Sequence, residues 1–368
     1  MAKVTFYPLG NADSYLIQTD HGKLFLFDFA DMKDPDDAFD KRIPLEESIK
    51  KDIGWPSVKA IDVLAISHGD NDHVKGISDT FWLEHAKKYQ ELDRIVIKEL
   101  WVPAALLVEE GSEDDTRIVR QEARHRFLEK KGIWVFARPE HLKDWLESRG
   151  KKLDDYRDLI CDAGKVVPNW SLSSNGIEFF VHSPFAEKTD DGFLERNPNS
   201  LVMQVSIASG GTATKLLATG DSDSEQWEKI VEITRYHGND TKLAWDIFKI
   251  PHHCSYTAMS AEKGSHITEP TEEFKWLMGQ GAEHGILVSP SKEISSETTT
   301  QPPHLEAYRR YKTVANQLNA DLVITMEHPD KKNPQRLIIQ IDRNGAMLKK
   351  DTTSPSKSTT SQRAPRAG

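Results

Sequence analysis

The stretch Ser67-His68-Gly69-Asp70-Asn71-Asp72-His73-Val74-Lys75-Gly76 places four potential metal ligands, His68, Asp70, Asp72 and His73, within six residues. An apolar run at 61–66 leads into it and reads as a buried strand. Gly69 and Asn71 tolerate unusual backbone angles, so a tight turn there lets nearby side chains converge on one small volume. Imidazole nitrogen and carboxylate oxygen bind Zn²⁺ at about 2.0–2.2 Å, and Mn²⁺ accepts both donors. A solvated polar turn is the plainer reading, but so dense a set of donors is hard to explain as packing.

The same pattern recurs along the chain. A strand at 177–182 delivers His182 ahead of Ser183-Pro184, an apolar run ends in Thr219-Gly220-Asp221, and another at 245–250 ends in Pro251-His252-His253-Cys254-Ser255. Before the opening stretch, apolar segments at 4–7, 14–19 and 23–29 are joined by short polar turns, as in an antiparallel meander. The third carries Asp28, placed to orient a ligand imidazole, with Asp31 a weaker candidate for that task. Strand ends that each carry a His or Asp are what two packed sheets with their loops on one rim would produce.

Further strands are expected at 94–102, 133–136, 201–207, 286–289, 321–326 and 336–341, and helices at 45–53, 81–89, 109–131, 140–159, 224–236 and 305–318. The charge-rich helices at 109–131 and 140–159 read as solvated faces, with a homodimer surface as the minority reading. The segment 351–368 is rich in Ser, Thr, Pro and Arg without periodicity and is expected to be disordered. A net charge of −10 over 368 residues argues against a broad basic surface for nucleic acid. Cys161 and Cys254 lie far apart and form no disulfide framework. With no signal-like start and no run approaching ~18 apolar residues, a soluble cytoplasmic protein with no membrane partner is expected.

The order His68-x-Asp70-x-Asp72-His73, then Thr219-Gly220-Asp221, then Pro251-His252-His253 resembles the metallo-β-lactamase superfamily. The resemblance is closest to the branch of ComEC-type C-terminal hydrolase domains and phosphorylcholine esterase. It rests further on Leu9-Gly10-Asn11-Ala12-Asp13-Ser14, Asn197-Pro198-Asn199-Ser200-Leu201-Val202, Lys249-Ile250-Pro251 and Pro303-His304-Leu305-Glu306, and spans residues 4 to 345. It implies an α/β (α+β) class, an αββα sandwich within a single domain at 1–350, interrupted by a helical insertion at about 79–165 that has no counterpart in the family.

Carried onto this chain, the resemblance implies two divalent metal ions, Zn or Mn. His68 and Asp70 would hold one, Asp72 and His73 the other, and Asp221 would bridge them. His253 would complete the second site, with His252 its alternate or a proton donor. The third ligand of the first ion would be His182, Asn197 or Asn199. Lys249 and His304 would donate a proton or hold a phosphate oxygen, alongside Asp72 and His252 in the catalytic set. Cys254 stands where the family has Gly, as a soft donor or a small buried side chain. The implied activity is a phosphodiesterase or nuclease using a metal-bridging hydroxide, on single-stranded nucleic acid or a small diester. Ester, thioester or lactam hydrolysis, or a partner-binding regulatory role, are the alternatives.

Overall fold

Alternation of apolar side chains within the strands builds two sheets. In the computed structural model, which describes residues 1–109, 111, 114–137, 140–185 and 200–349, sixteen strands are found. The first sheet contains β1 (Ala2–Phe6), β2 (Tyr15–Gln18), β3 (Leu24–Phe27), β4 (Ala60–Ala65), β5 (Phe81–Trp82), β6 (Ile95–Pro103), β7 (Ile133–Phe136) and β8 (Ile160–Cys161). The second contains β9 (Ile177–Ser183), β10 (Val202–Ser209), β11 (Thr212–Ala218), β12 (Trp245–Lys249), β13 (Gly281–Ser289) and β14 (Asp321–Ile324). The chain then returns to the first sheet as β15 (Leu337–Asp342), beside β1, and β16 (Gly345–Leu348).

In β3, Phe25 and Phe27 face the gap between the sheets, while Leu24 and Leu26 face outward; in β12, Ile247 faces the gap and Phe248 faces outward. This period of two follows from the pleat and gives each sheet two buried faces. Helices cover both outer faces. Leu45, Ile49 and Ile53 of the helix Leu45–Ile53 join the outer core of the first sheet, with Phe127 of the helix Asp114–Leu128. Trp227, Ile230 and Val231 of the helix Ser224–Tyr236 cover the second, with Phe274 and Tyr311. The layering is therefore αββα. No helix among the described residues is long and apolar enough to cross a membrane.

Direction decides where chemistry can gather. β3, β4, β6, β7 and β8 run parallel, and β1 shares their direction because two antiparallel pairings separate it from β3. β11, β12, β13 and β14 run parallel in the second sheet. The loops after β1, β3, β4, β11, β12 and β13 carry Asp13, Asp28, His68 to His73, Asp221, His252–His253 and Pro290, and the contacts below bring them together on one rim.

The segment 79–165 is not a helical insertion beside the fold. It contributes β5, β6, β7 and β8, continuing the first sheet in parallel beyond β4. The expected helix at 81–89 is instead the short strand β5 and a single turn at Lys87–Tyr89, with Phe81 and Leu83 buried at alternate positions. The expected helix at 140–159 stops at Glu147, and Gly150, at φ +66°, sits in the left-handed conformation that commonly ends helices. The segment 351–368 and both Asn197 and Asn199 lie outside the described residues.

Candidate metal centre

The turn after β4 folds so that Asp72 and His73 open a single short helical turn, Asn71–Val74, while His68 precedes it. Asp221 arrives from the end of β11 through Gly220, at φ +52°. A Cβ on Gly220 would lie 2.9 Å from Ser200 Cβ and 3.1 Å from Ser67 Cβ, so the two sheets' loops close over this glycine. After β12, His252, His253 and Cys254 all have positive φ, at 48°, 51° and 67°. Three consecutive non-glycine residues in this region are costly, a pattern found where surrounding structure fixes a functional loop.

Asp72, His73, Asp221 and His253 each offer one ligand atom, and these atoms all lie within 4.8 Å of one another. His73 Nδ1 lies 3.0 Å from Asp28 Oδ2, and since a carboxylate can only accept, Nδ1 carries the hydrogen. His253 Nδ1 likewise donates to the Pro290 carbonyl at 2.8 Å. Both rings therefore turn Nε2 inward. His73 Nε2 lies 3.4 Å from Asp221 Oδ1, and His253 Nε2 lies 3.1 Å from Asp72 Oδ2 and 3.6 Å from Asp221 Oδ2. With neutral rings these are lone pairs facing lone pairs, an arrangement that only a proton or a cation resolves.

Nε2 of His68 and of His73, and Oδ1 of Asp221, are buried without a hydrogen-bond partner among the described residues. Buried polar atoms left unpaired cost stability, so their shared orientation fits a cation between them. His68 stands next to this group, its ring 4.0 Å from that of His73 and its Nε2 3.4 Å from Asp70 Oδ2. The donors Asp72, His73, Asp221 and His253 thus fit a divalent ion, with Asp221 facing both His73 and His253 and His68 next to His73.

Electrostatics follow from this crowding. Burial pulls the His73 pKa down, but the carboxylates of Asp221 and Asp28 outweigh it and hold it well above the usual imidazole value. His253 is raised in the same way, burial opposing and Asp221 and Asp72 prevailing. Burial pushes the Asp72 carboxyl up, but the hydrogen bond from His253 and the charge of His73 bring it to about 2.

His252 lies at the edge of the cluster, its side chain 26 % exposed and its Nε2 3.9 Å from Asp221 Oδ2. Lys249, expected to face substrate, is buried beneath the centre, paired with Asp13, and donates to Gly220 O at 2.7 Å. His304 is also buried. Its backbone N–H donates to Cys254 O at 3.0 Å and its Nδ1 accepts from Tyr256 N–H at 3.3 Å, so it braces the turn after His253. Cys254 packs in the outer core of the second sheet, and burial pushes its thiol far up, which makes it the small buried side chain and not a donor. Asp31, the weaker partner candidate, accepts from Leu45 and Glu46 N–H at the start of a helix.

His182 does not join the cluster. Val181 faces the gap between the sheets, so its neighbour points to the outer side. There His182 Nδ1 meets Thr234 Oγ1 at 3.2 Å and Nε2 donates to Lys242 O at 2.9 Å, which uses both ring nitrogens. Burial lowers its pKa from the ordinary 6.5 to about 4, so the folded chain keeps it neutral where an unfolded chain would protonate it. Stability from this group is present above pH 6.5 and is lost as pH falls toward 4, about 3 kcal/mol at ~1.36 kcal/mol per pH unit. Urea unfolding at pH 7 and pH 5 should show a markedly flatter pH dependence for His182→Gln than for the unaltered chain; equal slopes would contradict the assignment.

Two features escaped the sequence. Asp13, part of the motif at 9–14 but given no role by the resemblance, is fully buried against the centre, with Oδ1 3.7 Å from His253 Nδ1. The helix Asp114–Leu128, read as a solvated face, holds the ligand turn: Thr116 Oγ1 donates to Gly69 O at 2.7 Å, and the Asp115 carboxylate accepts from Gly76 N–H at 2.8 Å and Ser78 N–H at 3.0 Å. A faint signal was available in the acidic pair that opens this helix, where carboxylates commonly accept backbone N–H groups.

No protein-family model matches the chain, and no curated protein matches it. Among solved structures, the chain is similar to unliganded yeast PDE1 at 11% identity and a TM-score of 0.44, over 89% of this chain and 98% of that one. It is similar to Zn²⁺-bound PqqB from Methylobacterium extorquens at 11% identity and a TM-score of 0.36, over 91% and 99%. It is similar to the metallo-β-lactamase GOB-18 from Elizabethkingia meningoseptica at 14% identity and a TM-score of 0.31, over 86% and 89%.

Proposed function

We propose that the chain is a dinuclear metal-dependent hydrolase acting on phosphodiesters, of the ComEC-type and phosphorylcholine esterase kind that its motifs resemble. The observation that carries this reading is the convergence of Asp72, His73, Asp221 and His253, from three loops, on one small volume. Charge supports divalent cations there: Asp72 and Asp221 face His73 and His253, with Asp13 and Asp28 buried behind them and the Lys249 ammonium spent on Asp13.

Divalent ions held here would act as Lewis acids toward a phosphoryl oxygen and make water a better nucleophile near neutral pH. Asp221 would orient them from between His73 and His253. Asp28 and the Pro290 carbonyl would keep the two imidazoles in the tautomer that turns Nε2 inward. His252, half-buried at the edge with Nε2 toward Asp221, has its pKa lowered by burial, so its neutral ring would take up a proton or hold a substrate oxygen there. The carboxylate share of the donor set favours hard ions such as Mn²⁺. The net charge of −10 supports a small diester or a single strand over a duplex.

The test is to measure metal content after purification without added metal, then turnover of bis-p-nitrophenyl phosphate, single-stranded DNA, p-nitrophenyl acetate and a chromogenic lactam with Zn²⁺ or Mn²⁺. About two ions per chain and turnover of the phosphodiesters, absent in Asp72→Ala, are expected. Turnover of the carboxylic ester or lactam alone would transfer the assignment to that class, and bound metal with no turnover of any ester would favour a binding role.

A further inference from the structure

We propose that Asp13 and Lys249 are positioning residues, a buried ion pair that locks the Asp221 turn and the Asp72 turn together beneath the metal centre. The inference rests on the metal-centre reading above. Asp13 and Lys249 are 0% and 1% exposed. The ammonium is paired with the Asp13 carboxylate, donates to Gly220 O at 2.7 Å and lies 3.9 Å from Asp221 Oδ1. At its other end the Lys249 carbonyl accepts from Thr219 Oγ1 at 2.8 Å. Lys249 thus grips the Thr219-Gly220-Asp221 turn by both its backbone and its side chain.

Asp13 reaches the opposite way. Its backbone N–H donates to Asp72 O at 3.1 Å, and its carboxylate lies 3.7 Å from His253 Nδ1 and 4.0 Å from His73 Nδ1. Two residues earlier, Asn11 Nδ2 donates to Pro302 O at 2.6 Å and its Oδ1 accepts from Lys292 N–H at 3.0 Å, which carries the tie to the loop after β13. A buried ion pair is a poor source of net stability, because desolvation of both charges offsets their attraction. What it supplies is geometry: an ammonium with fixed acceptors holds two loops of different sheets at one separation. Groups behind metal ligands act in this way, setting ligand orientation and so ion affinity.

The test is Co²⁺ titration of the full chain, followed by the visible absorption of the bound ion, for the unaltered protein, Asp13→Asn, Lys249→Met and the double variant. Asp13→Asn keeps the side chain's shape and removes its charge. Each single variant is expected to bind Co²⁺ about 10–100-fold more weakly, with an altered spectrum. The double variant, in which no buried charge is left unpaired, should stay weak and keep the altered spectrum, because the tie itself is gone. Recovery of affinity and spectrum in the double variant would reduce the pair to charge balance and overturn the proposal. So would an unchanged affinity and spectrum in Asp13→Asn, which decides the matter alone if Lys249→Met does not fold. An unaltered chain that binds no Co²⁺ would overturn this proposal and the metal-centre reading together, whereas binding by the unaltered chain with indifferent variants overturns this one only.

Discussion

Replacing Asp221 by Ala is expected to lower kcat/KM for bis-p-nitrophenyl phosphate by at least about 10³-fold, the upper end of what loss of one electrostatic group costs an enzyme, and to reduce the bound ions below two per chain. The reason is its position. Oδ1 lies 3.4 Å from His73 Nε2 and Oδ2 3.6 Å from His253 Nε2, with His252 Nε2 at 3.9 Å from Oδ2, so both oxygens of one side chain serve the cluster. Its backbone is fixed as well: the N–H donates to Ser200 Oγ at 3.3 Å, behind a glycine that cannot take a side chain. The buried carboxylates behind it are committed elsewhere, Asp13 to Lys249 and Asp28 to His73 and Ser67. Ala is the informative choice, since Asn would keep an oxygen in the same place. Activity within tenfold of the unaltered protein would remove Asp221 from the centre.

Stripping the ions should lower the melting temperature, and the gap between loaded and stripped protein should widen as pH rises from about 6 to 8.5. Ligand linkage alone gives about 2.7 kcal/mol for each site held at 100 times its Kd. The pH trend comes from the histidines. In the metal-free fold, His73 and His253 have pKa values raised above the ordinary 6.5. Their stabilisation is therefore full below pH 6.5 and is lost as pH climbs through the raised values. Ion binding moves the other way, since imidazole must lose its proton to become a ligand. The two effects add, so stripped protein weakens just where loaded protein gains. Thermal melts with and without chelator at several pH values measure this directly; a gap that narrows as pH rises would contradict the assigned ligands.

The strands that matter most were legible because they are short unbroken apolar runs, as in Leu24-Phe25-Leu26-Phe27, buried on both faces, and because their ends carry His or Asp at places that packing does not require. Asp28 as a partner for a ligand imidazole followed from the same logic, and the structure sets it 3.0 Å from His73 Nδ1. What sequence could not supply was facing. His182 follows an apolar strand as His68 does, yet one residue of register turns it to the outer side, against Thr234 and Lys242. Lys249 shows the same limit in another form: a lysine ahead of Pro-His-His reads as a reaching cation, and only tertiary contact reveals that its charge is spent on Asp13. The two-residue strands β5 and β8 were missed because nothing that short has a period to detect.

The hold of the helix Asp114–Leu128 on the ligand turn has a consequence for anyone trimming this protein to a minimal catalyst. Gly69 leaves no room between that turn and its neighbours, a Cβ there lying 2.9 Å from Leu106 Cδ1 and 3.1 Å from Thr116 Cγ2. Excising 79–165 would spare each candidate ligand named above, yet it would unfasten the backbone at Gly69, Gly76 and Ser78 and uncover the turn that Leu106 packs against. A shortened chain would retain its chemical inventory and lose the scaffold that aims it.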